Sequence, residues 1–405
     1  MEKFKTAFFL AYKAIVKGNI GTTTLTISVM VLAFVNLLFL SSILLGLVNT
    51  MNRQGVNNLY ANIVIEPASQ DNLISNASRV MTTVNGVPGV LGSARHYKIG
   101  GFFTFDRYKN NQDVMSGQYS VISIDPNKEK EITNISKSIS FGSYLEENDR
   151  NKIVIGKDIA GGQFGSFEKD SLGGVKIGDE ITISFENGVT RVYEVKGIFN
   201  SKFVQSDKAA FITNDEMESI LGVANAAHEI IVKTEEGVPE SYYMEKFKSM
   251  GIKEDIYPWT DYMGMTESFT KSFTLIRTLL SAIALLVAGI TIYIVIYINV
   301  LNNKKQIGIL RAIGIDKKII LISYTVQALF YALSGIIIGL AVLSFILVPY
   351  FQGHPLEFPV GDVHLEIVKA EIILSAVSLT IAGFISGFIP SRQVTNKTIL
   401  DSIWG

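Results

Sequence analysis

Apolar residues in this chain are gathered into long blocks instead of recurring at the spacing of half-buried elements. Four stretches without a charged residue cover 18–52, 278–303, 319–356 and 372–391, read with a residue or two of tolerance at their polar ends. Each supplies the ~20 predominantly apolar residues that cross the hydrocarbon core of a bilayer. Between the first and second lies a polar segment of about 220 residues, room for one or two folded domains. The pattern predicts an α-helical membrane protein with four transmembrane helices and a large extracytoplasmic domain inserted between helices 1 and 2. Such a layout suits a protein that couples events on two sides of a membrane better than it suits a pore.

The predicted boundaries are a surface helix at 1–17, spans at 18–52, 273–303, 319–348 and 372–391, and a domain at 53–272. A cytoplasmic segment at 304–318, an outer loop at 349–371 and a tail at 392–405 complete the chain. In the first 17 residues Phe4, Phe8, Ala11 and Ile15 recur at helical spacing among lysines, the pattern of an amphipathic helix lying on a bilayer surface. The first span exceeds the 7–15-residue apolar core of a signal peptide, so it is read as a retained helix.

Inside the insert the period changes repeatedly. Residues 61–66 read as a strand stopped by Pro67, 71–84 as a helix ended by Asn85-Gly86, and 119–125 as a strand. Strands follow at 152–156, 180–185 and 190–197, the last two joined through Glu186-Asn187-Gly188, since Asn-Gly accepts the positive φ of a tight hairpin. A strand at 209–212 leads into a helix announced by Thr213 and Glu216, spaced as a capping box. A strand at 228–233 and a helix at 240–250 close the series. The texture divides the domain into an α/β subdomain, 57–140 plus 224–262, and a β-rich subdomain, 141–223, inserted into it.

Charge adds an orientation. Lys3, Lys5, Lys13 and Lys17 precede the first span, Lys304, Lys305, Arg311, Lys317 and Lys318 separate the second from the third, and Arg392 and Lys397 follow the fourth. The loop between the third and fourth carries Glu357, Asp362, Glu366 and Glu371 against Lys369 alone. Basic flanks mark the cytoplasmic side. Both termini and 304–318 are therefore expected inside an inner membrane, with the large domain outside. A net charge of −1 offers no field for nucleic acid, and the absence of cysteine excludes disulfides, thiolate metal sites and cysteine nucleophiles.

The segment Lys304-Lys305-Gln306-Ile307-Gly308-Ile309-Leu310-Arg311-Ala312-Ile313-Gly314 carries the strongest motif. Ile307, Leu310 and Ile313 are three apart and share a helical face. Gly314 is placed to end the helix and Asp316 to cap the next. The pattern predicts a short helix offering an apolar knob ringed by cations, able to enter a groove on a soluble partner. A plainer account is a tight loop whose cations follow the orientation rule and touch lipid headgroups.

The 304–314 sequence resembles the segment after the second span in ABC-transporter permeases of the MacB and lipoprotein-releasing type, which share the FtsX-like permease domain. Gln327 and the Gly335-Ile-Ile-Ile-Gly339 run resemble that family's third span, and Pro390-Ser391-Arg392 its exit from the fourth. Gln306 stands where the family carries Glu, which keeps a hydrogen bond but not an ion pair. The resemblance implies that Lys305, Gln306, Ile307, Ile309, Leu310, Arg311, Ile313 and Gly314 touch a separate ATP-binding subunit, present in two copies. It implies a second permease, identical or paralogous, with a periplasmic adaptor or carrier as a further partner. ATP hydrolysis would be relayed through the first and second helices to the outer domain, which moves a lipoprotein, peptide or drug-like substrate. The chain has no Gly-x4-Gly-Lys-Ser/Thr loop, since Gly156-Lys157 is followed by Asp158. ATP and magnesium are expected on the partner, and no cofactor, metal or catalytic residue here.

Other constellations are weaker. Tyr324, Gln327 and Tyr331 form a polar stripe in the third span, expected to bond between helices. Gly335 with Gly339, and Gly383 with Gly387, allow close helix packing or a dimer contact. His354, Glu357, Asp362, His364 and Glu366 lack a fixed metal spacing, and Ser166-x-x-Lys169 is a lone match to a nucleophile motif. Two other classes compete with a permease. A membrane-anchored sensor or binding protein would not need the basic knob or three spans after the domain. A membrane hydrolase would need nucleophiles inside the spans.

Overall fold

The computed structural model describes residues 2–68, 72–108, 110, 114–164, 171–358 and 360–395, apart from the side chains of 2, 3, 265–267, 394 and 395. Ser166, Lys169, Asp71 and the tail beyond 395 lie outside the described residues. In chain order, α1 (Glu2–Val16) and α2 (Ile20–Gly55) lead into a π-helical turn, Val56–Tyr60. There follow β1 (Ile63–Glu66), β2 (Ile74–Ser75), α3 (Ala77–Asn85), β3 (Val90–His96), β4 (Lys98–Asp106), β5 (Val114–Ile124) and α4 (Pro126–Ile132). Next come β6 (Ile139–Gly142), β7 (Lys152–Gly156), α5 (Lys157–Ala160), β8 (Glu180–Phe185), β9 (Thr190–Phe199), α6 (Val204–Asp207), β10 (Ala209–Thr213) and α7 (Asn214–Leu221). Then β11 (Ala226–Ala227), β12 (Glu229–Thr234), α8 (Glu240–Ser249) and β13 (Asp255–Pro258) precede α9 (Gly264–Asn302). The chain continues through α10 (Lys304–Ala312), α11 (Lys317–Val342), α12 (Val348–Gly353), β14 (Leu356–Phe358), β15 (Gly361–Val363) and α13 (Lys369–Thr395). It divides into two compact units: Met1–Val48 with Phe269–Glu357 and the residues from Asp362 on, and Asn49–Ser268 with Phe358–Gly361.

Among the described residues four helices are long and apolar enough to cross a membrane: Ile20–Tyr60, Ser268–Asn302, Lys317–Gly353 and Lys369–Gln393. They pack by the close approach of small residues. A Cβ added at Gly335 would run into Met30, and one at Gly339 would sit 2.8 Å from the Phe34 ring, so α11 lies directly on α2. A Cβ at Gly387 would strike Ala328, and one at Gly383 would come within 2.9 Å of Ala332, so α13 also lies directly on α11, one to two turns nearer its start than the contact with α2. Gly289 of α9 meets Ser386 of α13 in the same way. Without a hydrophobic drive between helices in lipid, such backbone approach is a main source of attraction. The third span stays helical through a π-helical turn at Leu343–Leu347, which precedes Pro349 in the first turn of α12. α1 packs along α11. Its predicted apolar face is split: Ala11 is buried and Ile15 half-buried, while Phe4 and Phe8 are exposed, and Ala7, outside that face, is buried instead.

The outer unit holds two main sheets. Four strands in the order β13-β1-β12-β3 pair antiparallel, with α3 and α8 closing one face. Seven strands in the order β6-β9-β7-β10-β5-β4-β8 form a mixed sheet. The division at 57–140 and 141–223 is corrected: β4 and β5, assigned to the α/β part, belong to the seven-stranded sheet. The chain passes from one sheet to the other at Tyr97, and β5 is central because β10 pairs parallel to it from far along the sequence. Local texture cannot register such a pairing. The helix expected over 71–84 starts later, at Ala77, because Ile74 and Ser75 pair with Ala227 and Ala226. Its first turn is capped from a distance by Asn225, whose Oδ1 accepts from the Ser78 N–H at 3.0 Å. Local signals elsewhere hold. Gly188 has φ +85° in the β8–β9 hairpin, and Thr213 Oγ1 accepts from the Glu216 N–H at the start of α7.

Candidate functional site

The basic segment folds as a nine-residue helix, α10, set between α9 and α11. Its C-terminus is a Schellman motif: the Ile315 N–H bonds the Leu310 carbonyl at 3.0 Å and the Gly314 N–H bonds Arg311 at 3.1 Å. Gly314 has φ +99°, a conformation glycine adopts without the penalty a Cβ would bring. Asp316 then caps α11, accepting from the Lys318 N–H at 3.0 Å. Gly314 and Asp316 thus stand where their spacing placed them.

The apolar face is not the expected one. Ile307 is only 3% exposed and joins the helical core with Ile320 and Tyr324, and Leu310 is half-buried. Such burial of one isoleucine stabilises by roughly 1.5–3 kcal/mol, so Ile307 anchors the helix instead of meeting a partner. Ile309 and Ile313 are 57% and 71% exposed, and Lys305, Gln306 and Ala312 are exposed with them. Positions 305, 306, 309, 312 and 313 fall on one helical face. The outward knob is therefore the i, i+4 pair Ile309 and Ile313, with a lysine and an amide at its N-terminal edge. Counting by three from Ile307 picked the face that docks inward. The competing count by four from Ile309 was present in the same eleven residues.

The polar stripe of the third span is buried, but its Gln327–Tyr331 bond lies within α11 and not between helices as expected, because residues four apart are neighbours on one helical face. Gln327 Nε2 donates to Tyr331 Oη at 2.9 Å, and Tyr324 bonds the side chain of Asn303, the residue that opens α10. This bond and Ile307 tie α10 to α11. Gln327 Oε1 has no partner among the described residues. Gly335, Gly339, Gly383 and Gly387 are all used in packing within the chain. Sequence reasoning missed Arg277. Its Nη1 lies 3.0 Å from Glu371 Oε1 and 3.4 Å from Ser41 Oγ, joining α9, α13 and α2. The signal was available, as an arginine and a glutamate at the outer ends of two spans.

In the outer unit a charged cluster lies under the four-stranded sheet. His96, fully buried, sits between Glu129 Oε2 at 2.9 Å and Glu229 Oε1 at 3.1 Å, and Lys98 Nζ reaches Glu229 Oε2 at 2.5 Å. Burial alone would lower the His96 pKa, but the two carboxylates outweigh it and raise it to about 9. Burial would raise Glu229, but Lys98 and His96 hold it at about 2. The cluster is a satisfied structural network, with Thr133 donating to Glu129 at 2.8 Å. No group of three or more His, Asp or Glu placed to hold a metal occurs among the described residues. His354 of the outer loop stacks on Tyr350 at 5.0 Å.

Comparison with known proteins gives the following matches. A family model described as the MacB-like periplasmic core domain matches residues 23–249, and one described as the FtsX-like permease C-terminal matches residues 278–399. An uncharacterized ABC transporter permease of Methanocaldococcus jannaschii is 25% identical over 310 residues, 74% of this chain and 72% of that protein. Among solved structures, the periplasmic region of MacB from Actinobacillus actinomycetemcomitans is 12% identical. It covers 51% of this chain and 94% of its own, at a TM-score of 0.35. The extracellular domain of the noncanonic ABC-type transporter YknZ from Gram-positive bacteria is also 12% identical. It covers 47% of this chain and 87% of its own, at a TM-score of 0.32.

Proposed function

The chain belongs to the ABC transporter permeases built from a MacB-like periplasmic core domain and an FtsX-like permease domain, and from that premise we propose that it relays ATP hydrolysis by a separate subunit to its outer domain. Membership implies an ATPase partner. The observation that best supports the relay is the outward Ile309–Ile313 pair on α10, anchored behind by Ile307 and Tyr324. An exposed apolar pair edged by Lys305 is costly to leave in water and fits a groove with an acidic rim. In this reading α10 is cytoplasmic, both termini are inside an inner membrane, and two ATPases act on two permeases, identical or paralogous. Nucleotide binding draws the α10 helices together, and α2 and α9 carry the motion outward. The outer domain then moves a lipoprotein, peptide or drug-like molecule, directly or through an adaptor. The chain itself performs no catalysis.

The test is Ile309→Glu and Ile313→Glu in the full chain reconstituted with its ATPase. Both side chains are exposed, so thermal stability is expected to change by less than about 0.5 kcal/mol. Co-purification of the ATPase and the permease-dependent part of its rate are expected to fall at least ~10-fold, equivalent to about 1.4 kcal/mol of contact energy. Retention of both by the two variants would overturn the reading.

A further inference from the structure

The end of α2 and the start of α9 are gripped by one loop of the outer unit. That loop, residues 200–208, joins β9 to β10, neighbours of β7 in the seven-stranded sheet. A side chain at Gly55, the last residue of α2, would displace its neighbours. A Cβ there would lie 2.8 Å from the sulfur of Met263, just ahead of α9, and 3.3 Å from the Phe203 ring of the loop. Beyond Gly55 the helix widens into the π-helical turn, and the chain leaves it through Ala61 at φ +52°, a conformation that costs a residue with a Cβ.

The loop bonds to this turn residue by residue. Asn58 Nδ2 donates to the Ser201 carbonyl at 3.2 Å, and Ser206 Oγ donates to the Asn58 carbonyl at 3.0 Å. Tyr60 Oη donates to Gln205 Oε1 at 3.0 Å, while its ring stacks on Tyr262 at 5.1 Å and meets Phe203 edge-on. Asp207 closes the loop on itself. Its Oδ1 accepts from both the N–H and the Oγ of Ser201 at 2.7 Å. Asn58, Ser201, Ser206 and Asp207 are buried, so breaking their bonds strands a polar atom away from water.

We infer that loop 200–208 is the link through which the seven-stranded sheet follows the roots of α2 and α9, with Asp207 as the positioning residue that holds the loop shut. The inference rests on the proposed relay and adds where the motion enters the outer domain. Without the loop, the roots would still be covalently joined to the four-stranded sheet through β1 and β13, and Leu59, Tyr60 and Met263 would still share an apolar core with Ile122, Val154 and Phe211 of the seven-stranded sheet, but the directional polar bonds that make that sheet follow them would be gone.

The test is hydrogen–deuterium exchange on the full chain with its ATPase in lipid nanodiscs, with and without ATP and vanadate. In the wild type, nucleotide is expected to change exchange both at 49–60 and in β4 and β9. In Asp207→Ala and in Gly55→Val the change is expected to persist at 49–60 and to vanish from β4 and β9. Asp207→Asn keeps an oxygen for Ser201 and is expected to restore the wild-type response. Unchanged nucleotide responses in β4 and β9 of both disruptive variants would overturn the link, as would a wild-type response confined to 49–60. A wild type without any response at 49–60 would instead defeat the proposed relay.

Discussion

The helical unit and the outer unit bury polar atoms by opposite means. The helical unit is held by shape: Gly335, Gly339, Gly383 and Gly387 bring α2, α11 and α13 together, and Arg277–Glu371 is a half-buried charge pair among its described residues. The outer unit places His96, Glu129 and Glu229 wholly inside, joined by the partly exposed Lys98, and closes loop 200–208 around Asp207. The difference follows the solvent. In lipid an unpaired charge has nowhere to go, so specificity comes from fit. In a domain surrounded by water a buried ion cluster survives only if every member is satisfied, and it then fixes one arrangement of strands.

The contrast predicts that charge deletion hurts the outer unit most. Glu229→Gln leaves Lys98 without its carboxylate and His96 with one instead of two. The full chain in detergent is expected to lose on the order of 3 kcal/mol in thermal or denaturant unfolding of the outer unit, the usual cost of breaking one side of a buried ion pair. A loss below ~0.5 kcal/mol would show that the cluster is not held by charge.

Acidity tests the same cluster from another direction. His96 is raised from 6.5 to about 9, so its stabilisation is complete below 6.5 and is lost as pH rises through 9. Glu229 is lowered from 4.5 to about 2, so its share is present above 4.5 and is lost as pH falls towards 2. Asp207 runs the other way. Burial, outweighing its Ser201 bonds, raises it from 3.8 to about 6, so the charged form burdens the fold above 6 and the burden lifts as pH falls towards 3.8. Outer-unit stability measured by melting is therefore expected to peak between about 4.5 and 6.5, and to fall by a few kcal/mol towards pH 9. A curve flat from 6.5 to 9 would contradict the charged state of His96.

Sterics should rule the other unit, with a smaller effect. Gly335→Val drives two methyl groups into Met30 and is expected to cost about 1–3 kcal/mol of helical-unit stability, independent of salt and pH. A pH-dependent loss there would erase the contrast between the two regions.

Much of this was written locally. The spans, the α10 helix with its Gly314 stop and Asp316 cap, and strands β7 and β8 follow from apolar runs, caps and period, which involve neighbours within a few residues. The candidate site was legible as a segment but not as a face. Ile307 and Ile309 are equally apolar, and only the presence of Ile320 and Tyr324 behind α10 decides that one turns inward. The amphipathic start shows the same limit, because Ala7 and Ala11 are buried while the larger Phe4 and Phe8 stay exposed.

What the sequence by itself determined is the number of membrane helices, the place of the large insert and the position of the basic knob, because bilayer thickness, helix caps and turn residues act over short stretches of chain. Tertiary structure alone decided that β4 and β5 join the seven-stranded sheet, that His96 meets Glu129 and Glu229, and that loop 200–208 closes on the root of α2. Those contacts join residues 33 to 148 positions apart, and their energy exists only once the intervening chain has folded.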